Sequence, residues 1–435
     1  MNIPLDNLYH WVESLIPDPV VLYVFNPHGS KKISDCRFIK CHNRETVYKL
    51  PGVIAHDQEP LDWDFYNHPE QYLELELWKK MRWHPGDIWE KLKCTPFDDL
   101  RYAYFANFNL KSLILERTGE MYDQSILIHS EKNSMNLEKY QQHGFICVHY
   151  WAHAVIARDW YRFAEYDPRL SHNQTPNTKF LIYCRDWSHR REYRLKFLEL
   201  LVHNGLDCDS QTSVMHTNSE NVHFLQHQFD NPTFKLSDPE LIYKIPNNEV
   251  PSTASADYDY ADFVSTQVSV VLETVFDDDR IHLTEKTLRP IACGHPFILA
   301  AGPGSLEYVR SYGFRTFAPW IDESYDLEPD SFKRLEKIIH TMKQIQNLQG
   351  QELENFSQAV KEITDFNKNH FFSDVFFNQV KNELKNNLNS ACEQVKKSRG
   401  KHYLELLKLT KKHKLLDLLW RRRVKTQFVR QLRQS

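Results

Sequence analysis

The 435-residue sequence has no Cys-x-x-Cys pair, and its eight cysteines follow no regular spacing, which excludes a disulfide framework. Cys184 sits in the apolar run FLIYC and Cys147 in FICV, so buried, reduced thiols and a reducing, cytosolic compartment are expected. No stretch approaches 18 consecutive apolar residues, which excludes a membrane-spanning helix by this measure. The opening MNIPLDNLYHWVESL lacks the basic start and long apolar core of a signal peptide. There is no internal repeat and no low-complexity segment.

What is present is ordinary for a globular protein, with 41% hydrophobic and 26% charged residues. The length is too great for one compact core and suits two α/β domains. The 21 Tyr, 26 Phe and 10 Trp supply large buried area and flat faces on which bases or sugar rings stack. Charge is divided unevenly. Residues 396–435 hold 14 Lys and Arg against Glu405 and Asp417, a net of +12, so the rest of the chain carries −16. An acidic body with a basic tail points to an anionic partner for the tail.

Strand-like and helix-like runs alternate along the first half. VVLYVF (20–25), CRFIK (36–40), GVIAH (52–56), SILIH (125–129) and FICVHYW (145–151) read as short buried strands. Residues 69–93 carry Leu73, Leu77, Trp78 and Met81 at helical spacing. DPRLSHNQTPNTK (167–179) has two prolines, many turn formers and no apolar period, and is expected to be a linker. The alternation then restarts with a strand at 180–184, a helix over 190–205 ending on Gly205, and strands at 268–276 and 295–302 flanking the helix EKTLRPIACG. After about residue 325 the pattern is helical.

These readings predict an α/β protein of two Rossmann-like domains facing a cleft, with a helical, basic C-terminal extension. The expected divisions are 1–166 for an acceptor-side domain, 167–179 for the linker, 180–345 for a donor domain and 346–435 for the helical region. Ligands of such sheets lie outside the carboxyl ends of the strands.

The densest chemistry lies in residues 268–317. A strand delivers Glu273 near its carboxyl end, an acidic loop follows, and Thr284-Glu285-Lys286 opens a helix. A capping Thr, a helix N-terminus and a lysine together favour a phosphate, and a carboxylate such as Glu285 suits ribose hydroxyls. The same residues also suit a plain cap on a solvated helix start. Gly302-Pro303-Gly304-Ser305 makes a second tight turn into a helix, and two such N-termini on one cleft would suit a diphosphate.

This segment resembles the donor-binding motif of the α1,3-fucosyltransferases, in which a strand ending in F-E-N is followed by a loop and Y-x-T-E-K. Glu273 falls on the first Glu and Glu285-Lys286 on the T-E-K pair, while His282 replaces the usual aromatic and Thr274 the Asn. CRDWSHRREYRLKFLELL (184–201) resembles the family's S-N-C…R-R-E-Y segment. The resemblance implies that Arg190 or Arg191 and Lys286 hold a GDP pyrophosphate and that Glu285 holds the ribose. It covers roughly residues 178–320. More loosely, Glu59-Pro60 in GVIAHDQEPLDWDFY echoes the segment that carries the family's catalytic base. Glu59 would then deprotonate the acceptor hydroxyl, with Asp57 and His56 as neighbours able to take that role.

Weaker candidates remain. Asp277-Asp278-Asp279 and Asp257-Tyr258-Asp259 look like the DxD of metal-dependent glycosyltransferases, but arginine and lysine already neutralise a donor here, so no metal or other cofactor is expected. His149 and His153 lack a third zinc ligand nearby and are expected to pack. Ser130 and Glu131 either line the cleft or cap a helix. Retaining two-domain enzymes often pair two Glu eight residues apart, but Glu273 and Glu285 are followed at that offset by Ile281 and Cys293, which favours inversion.

The expected activity is therefore transfer of a sugar from a nucleotide-diphosphate donor to a hydroxyl on a glycan, a lipid-linked glycan or DNA. One alternative is a DNA-modifying glycosyltransferase of a bacterial virus, acting on a hydroxymethylated base. A non-catalytic nucleotide-sugar-binding or assembly protein is the alternative of another class. The tail, with Leu404, Leu407, Trp420, Val424 and Phe428 among Lys and Arg runs, would meet DNA or an anionic membrane surface.

Overall fold

A computed structural model describes residues 11–12, 14–15, 23–26, 38–40, 125–134, 137, 141, 145–170, 176–218, 221–248 and 252–397. Glu59, Asp57, the 69–93 stretch and the basic tail beyond 397 lie outside the described residues. The described part is a mixed α/β fold with parallel sheets and helices. It groups into two compact units, one spanning 153–380, the other formed by described residues before 153 and after 380.

The N-terminal unit holds strands β1 (Tyr23–Asn26), β2 (Phe38–Lys40), β3 (Ser125–His129) and β4 (Phe145–His149). Their order is β2-β1-β3-β4, with β1, β3 and β4 parallel and β2 antiparallel to β1. Ile126, Ile128 and Val148 are buried along β3 and β4. The residues after β3 are inside the unit too, with Ser130 and Glu131 buried and the Glu131 N–H donating to His129 Nδ1 at 3.2 Å. His149 is 2.8 Å from Glu383 Oε1 and its carbonyl accepts from Asn387 Nδ2 at 2.8 Å, so it ties β4 to helix 374–397.

The 153–380 unit is built on strands β5 (Thr178–Cys184), β6 (Ser210–Val214), β7 (Thr266–Leu272) and β8 (Phe297–Ala300), all parallel in the order β6-β5-β7-β8. Phe180–Ile182, Val268, Val270–Leu272 and Phe297–Ala300 are buried, the near-continuous apolar runs that parallel strands covered on both faces require. β6 (SQTSV) buries only Val214 and forms the polar edge. Helix α1 (Ala152–Trp160) precedes the sheet; α2 (Tyr193–His203), α3 (Tyr260–Ser265), α4 (Glu285–Cys293) and α5 (Ser305–Ser311) connect and follow its strands. The chain continues as α6 (Ser331–Gln346), α7 (Gly350–Phe372) and α8 (Asp374–Lys397).

The division at 153 precedes the 167–179 segment, and its physical reason is the burial of α1. Ala154–Ala157 are buried, and Arg158 donates to the carbonyls of Phe371 and Ser373, each at 2.7 Å, and to that of Phe372. The same contacts hold α7 in this unit, beyond residue 345. The 167–179 segment runs on in structure as well: Pro168–Leu170 form a 3-10 turn and Thr178 begins β5.

Local chemistry sets the element ends. α4 stops at Gly294, whose φ of +69° is left-handed. At Gly302 a Cβ would stand 2.8 Å from the Arg280 carbonyl oxygen and 2.9 Å from that of Asp278, so only glycine lets the acidic loop approach the end of β8. Arg334 of α6 pins the same loop. Its guanidinium stacks on Phe276 at 4.4 Å and donates to the Phe276 carbonyl, and to that of Glu328 at 2.6 Å.

Beneath α5, Asp326 accepts from the Leu306 N–H at 3.0 Å while its Oδ2 is buried without a hydrogen bond. Burial, with the charge of Glu323 adding, outweighs that bond and Arg310 and pushes the carboxyl up to about 6. Stability from this group is complete below the unfolded carboxylate pKa and is lost as pH rises through 6. Asp326→Asn should therefore stabilise the protein by about 1 kcal/mol at pH 8, with the gain vanishing toward pH 4. Urea melts at the two pH values test this, and an equal effect at both would sink it.

Candidate functional site

The strand order reverses between β5 and β7: the chain leaves β5 for β6 on one side and returns to β7 on the other. Such a switch point opens a crevice outside the strand carboxyl ends. A cavity of about 890 Å³ lies there. Leu181–Tyr183 of β5, Gln211 and Ser213 of β6 and Val270–Leu272 of β7 form its floor; Ser255 and Asp257–Tyr260 cover it; Glu285, Lys286 and Arg289 of α4 close one wall. The volume is within the roughly 300–1,000 Å³ usual for small-molecule sites.

The cover is fastened by named contacts. Tyr161 donates its hydroxyl proton to the Ser255 carbonyl at 2.6 Å, and Arg289 Nη2 reaches the same oxygen at 3.1 Å. Arg289 also lies 5.0 Å over the Tyr183 ring. At the rim Arg169 forms a two-pronged pair with Asp167, 2.8 Å on each arm, and lies 4.2 Å over Tyr260; Tyr258 donates to Asp167 at 3.0 Å.

Cations gather where β5 and β7 end. Arg194 is buried and donates to the carbonyls of Asp186 at 2.5 Å, Leu272 at 2.6 Å and Glu273 at 3.1 Å, joining the two strand ends. Its hydrogen-bond partners are carbonyls, and the nearby Asp186 carboxylate supplies part of its counter-charge. Arg191 pairs with Asp186 at 2.8 Å. Burial and the like charges of Arg194 and Arg185 hold the Arg191 guanidinium below its ordinary value, against the pull of Asp186. Burial would raise Asp186, but Arg191 and the Ser188 N–H hold its carboxyl below the usual range. Arg185, directly after β5, lines the cavity with these groups.

On α4, Lys286 Nζ lies 2.9 Å from Glu285 Oε1 and 3.1 Å from Thr284 Oγ1. Glu285 is buried, with His153 Nδ1 at 3.5 Å from its Oε2. Burial would raise its carboxyl, but Lys286 and His153 outweigh that and hold it well below the usual range. Arg191, Glu285 and Lys286 thus line one cavity.

Of the other sequence candidates, Asp257 and Asp259 lie in its cover, whereas Glu273, His282, Thr284, Arg190 and the 277–279 acids do not line it. Glu273 is fully buried and accepts from Thr284 N at 2.9 Å, Thr284 Oγ1 at 2.7 Å, Thr287 N at 3.3 Å and Thr287 Oγ1 at 2.7 Å. The N–H groups that a free helix start would offer a phosphate are in part turned to this carboxylate, and Thr284 with them. His282 is buried edge-on to His153, ring centroids 5.3 Å apart. Arg190 pairs with Asp278 rather than lining the cavity. Asp278 also accepts from the Arg280 backbone N–H at 2.9 Å and lies 3.4 Å from the Arg280 guanidinium, so this acid meets cations of the protein. Asp259 caps α3, accepting from Ala261 N at 3.0 Å.

Among the described residues no group of three or more His, Cys, Asp or Glu is disposed to hold a metal ion, and no helix is long and apolar enough to cross a membrane. Cys184 and Cys293 are buried thiols, with burial pushing Cys184 up to about 11, whereas Cys208 is exposed. Arg185 escaped the sequence reading, although a charge directly after an apolar strand was a usable signal. A scan against protein-family models finds no match for this chain, and neither does a search of curated proteins.

Proposed function

We propose that this chain is a glycosyltransferase of the two-domain GT-B type that takes a sugar from a nucleotide-diphosphate donor, GDP-linked on the fucosyltransferase resemblance, to a hydroxyl acceptor. The observation that carries the reading is one cavity at the β5/β7 switch point on which Arg185, Arg191, Lys286 and Glu285 converge. A diphosphodiester brings two negative charges, and arginine and lysine beside strand ends are suited to compensate them. Glu285, ionised and facing the cavity, is suited to accept from ribose hydroxyls. The parallel β1, β3 and β4 support a second Rossmann-like half.

In the proposed step the acceptor oxygen attacks the anomeric carbon, and the bond to the phosphate oxygen breaks with its electron pair leaving on that oxygen. The acceptor proton goes to a general base, for which Glu59 or Asp57 is the candidate. The net charge of +12 on residues 396–435 supports an anionic acceptor or surface, such as a lipid-linked glycan or DNA.

A thermal-shift panel of GDP-, UDP-, TDP- and CMP-sugars tests the reading. A nucleotide-diphosphate sugar at roughly 100 times its Kd should stabilise the folded protein by about 2.7 kcal/mol, while CMP-sugars give less. A flat panel removes the reading.

A further inference from the structure

We propose that Arg185 is the residue that takes up the charge appearing on the leaving diphosphate; this rests on the nucleotide-sugar reading above. The argument is one of charge already committed. Of the four cations at the strand ends, Arg191 is paired with Asp186 at 2.8 Å and Lys286 with Glu285 at 2.9 Å. Arg194 is buried and its two Nη atoms donate to three backbone carbonyls, while its Nε is buried without a hydrogen bond. Arg185 lines the same cavity and, among the described residues, makes neither a hydrogen bond nor an ion pair. Its flanking acid, Asp186, is already held by Arg191 and by the Ser188 N–H at 3.1 Å and hydroxyl at 3.1 Å.

A guanidinium left without a partner beside a buried arginine pays a continuous electrostatic cost that an anion would relieve. The reaction creates that anion. When the glycosidic bond breaks, its electron pair stays on the phosphate oxygen, and the diphosphate passes from two negative charges to three. The four cations (Arg185, Arg191, Arg194 and Lys286) against the two acids (Asp186 and Glu285) leave a net of +2 at the strand ends, which equals the charge of the bound donor; the third charge arises on the leaving group alone. Of the two arginines outside the ion pairs, Arg194 is buried and tethered by its carbonyls, whereas Arg185 is only half-buried and its guanidinium, which bonds to none of the described residues, can turn to meet it. The site should hold the nucleoside diphosphate more tightly than the nucleotide sugar, with Arg185 the source of the difference.

The test is titration calorimetry of the full-length chain with GDP, UDP, inorganic pyrophosphate and the corresponding nucleotide sugars, comparing wild type with Arg185→Ala and Arg185→Lys. Arg185→Ala should weaken nucleoside diphosphate binding by about ten- to a hundredfold and nucleotide-sugar binding by less, with Arg185→Lys between it and wild type. Circular dichroism melts of both variants matching wild type would show that the fold is intact; if Arg185→Ala melts early, the Arg185→Lys ratio of diphosphate to sugar-nucleotide affinity decides. Wild type that binds the diphosphates, with variants that bind them equally well, overturns the role of Arg185 alone. Wild type that binds none of these probes overturns the nucleotide-sugar reading as well.

Discussion

Glu273→Ala should lower the stability of the 153–380 unit by about 3–5 kcal/mol, the largest single-site effect expected in this protein. The carboxylate is fully buried, and five donors converge on it: the N–H and hydroxyl of Thr284, the N–H and hydroxyl of Thr287, and the Thr274 N–H at 3.3 Å. Alanine leaves these donors buried without their acceptor. Each buried donor left unmet costs about 1–3 kcal/mol, and only partial relaxation keeps the total below the sum. The start of α4 would loosen, and with it the placement of Glu285 and Lys286. A loss of 3–5 kcal/mol in a unit of this size should lower Tm by roughly 10 °C. Glu273→Gln should fall between, because its Oε1 still accepts but its amide donates toward hydroxyls and N–H groups. Calorimetric melts of both variants are the measurement. An alanine variant within about 1 kcal/mol of wild type would show that Glu273 does not hold the helix start.

Lys286→Ala should leave the melt nearly unchanged but weaken nucleotide-sugar binding by about 10- to 150-fold, the equivalent of one charge-assisted phosphate contact of about 1.5–3 kcal/mol. The side chain is 30% exposed, so it contributes little packing. Its removal acts twice on the cavity. The cation is lost, and Glu285, left with His153 at 3.5 Å and the more remote Arg289, presents a less compensated negative charge to the incoming diphosphate. Two controls separate these effects. Lys286→Arg should keep most of the affinity, and Glu285→Gln in the Lys286→Ala background should recover part of it. Titration of the GDP-sugar into each variant reads the result, and donor affinity unchanged in Lys286→Ala would place the donor elsewhere. The contrast with Glu273→Ala is diagnostic: one variant loses stability first, the other loses ligand first.

Local features of the sequence determined much of the 153–380 unit. The apolar runs around Phe180–Cys184, Val268–Leu272 and Phe297–Ala300 are buried parallel strands because a strand covered on both faces needs apolar residues at every position. Thr284 begins α4 and Gly294 ends it, since capping and left-handed geometry involve only neighbours in the chain. Charge at the end of β7 and the start of α4 was legible for the same reason, and it led to Glu285 and Lys286. Which of Arg190 and Arg191 reaches the cavity was not legible. The choice depends on the 3-10 turn His189–Arg191, which sends Arg190 to Asp278 and Arg191 to Asp186.

Only the tertiary structure decided that Glu273 turns back on the helix that follows it. The loop between them folds so that Thr284, eleven residues on, meets its carboxylate, and no periodic pattern encodes that path. The same holds for Arg194 and Arg334, whose backbone carbonyl partners come from distant strands and loops. It holds for α1 too, whose Arg158 binds the carbonyls at the end of α7 and so draws residues 153–166 into this unit. Hydrophobic period and capping act over one turn or one strand. Satisfying a buried charge draws on whatever the fold brings within about 3 Å, and that is settled only when the chain has packed.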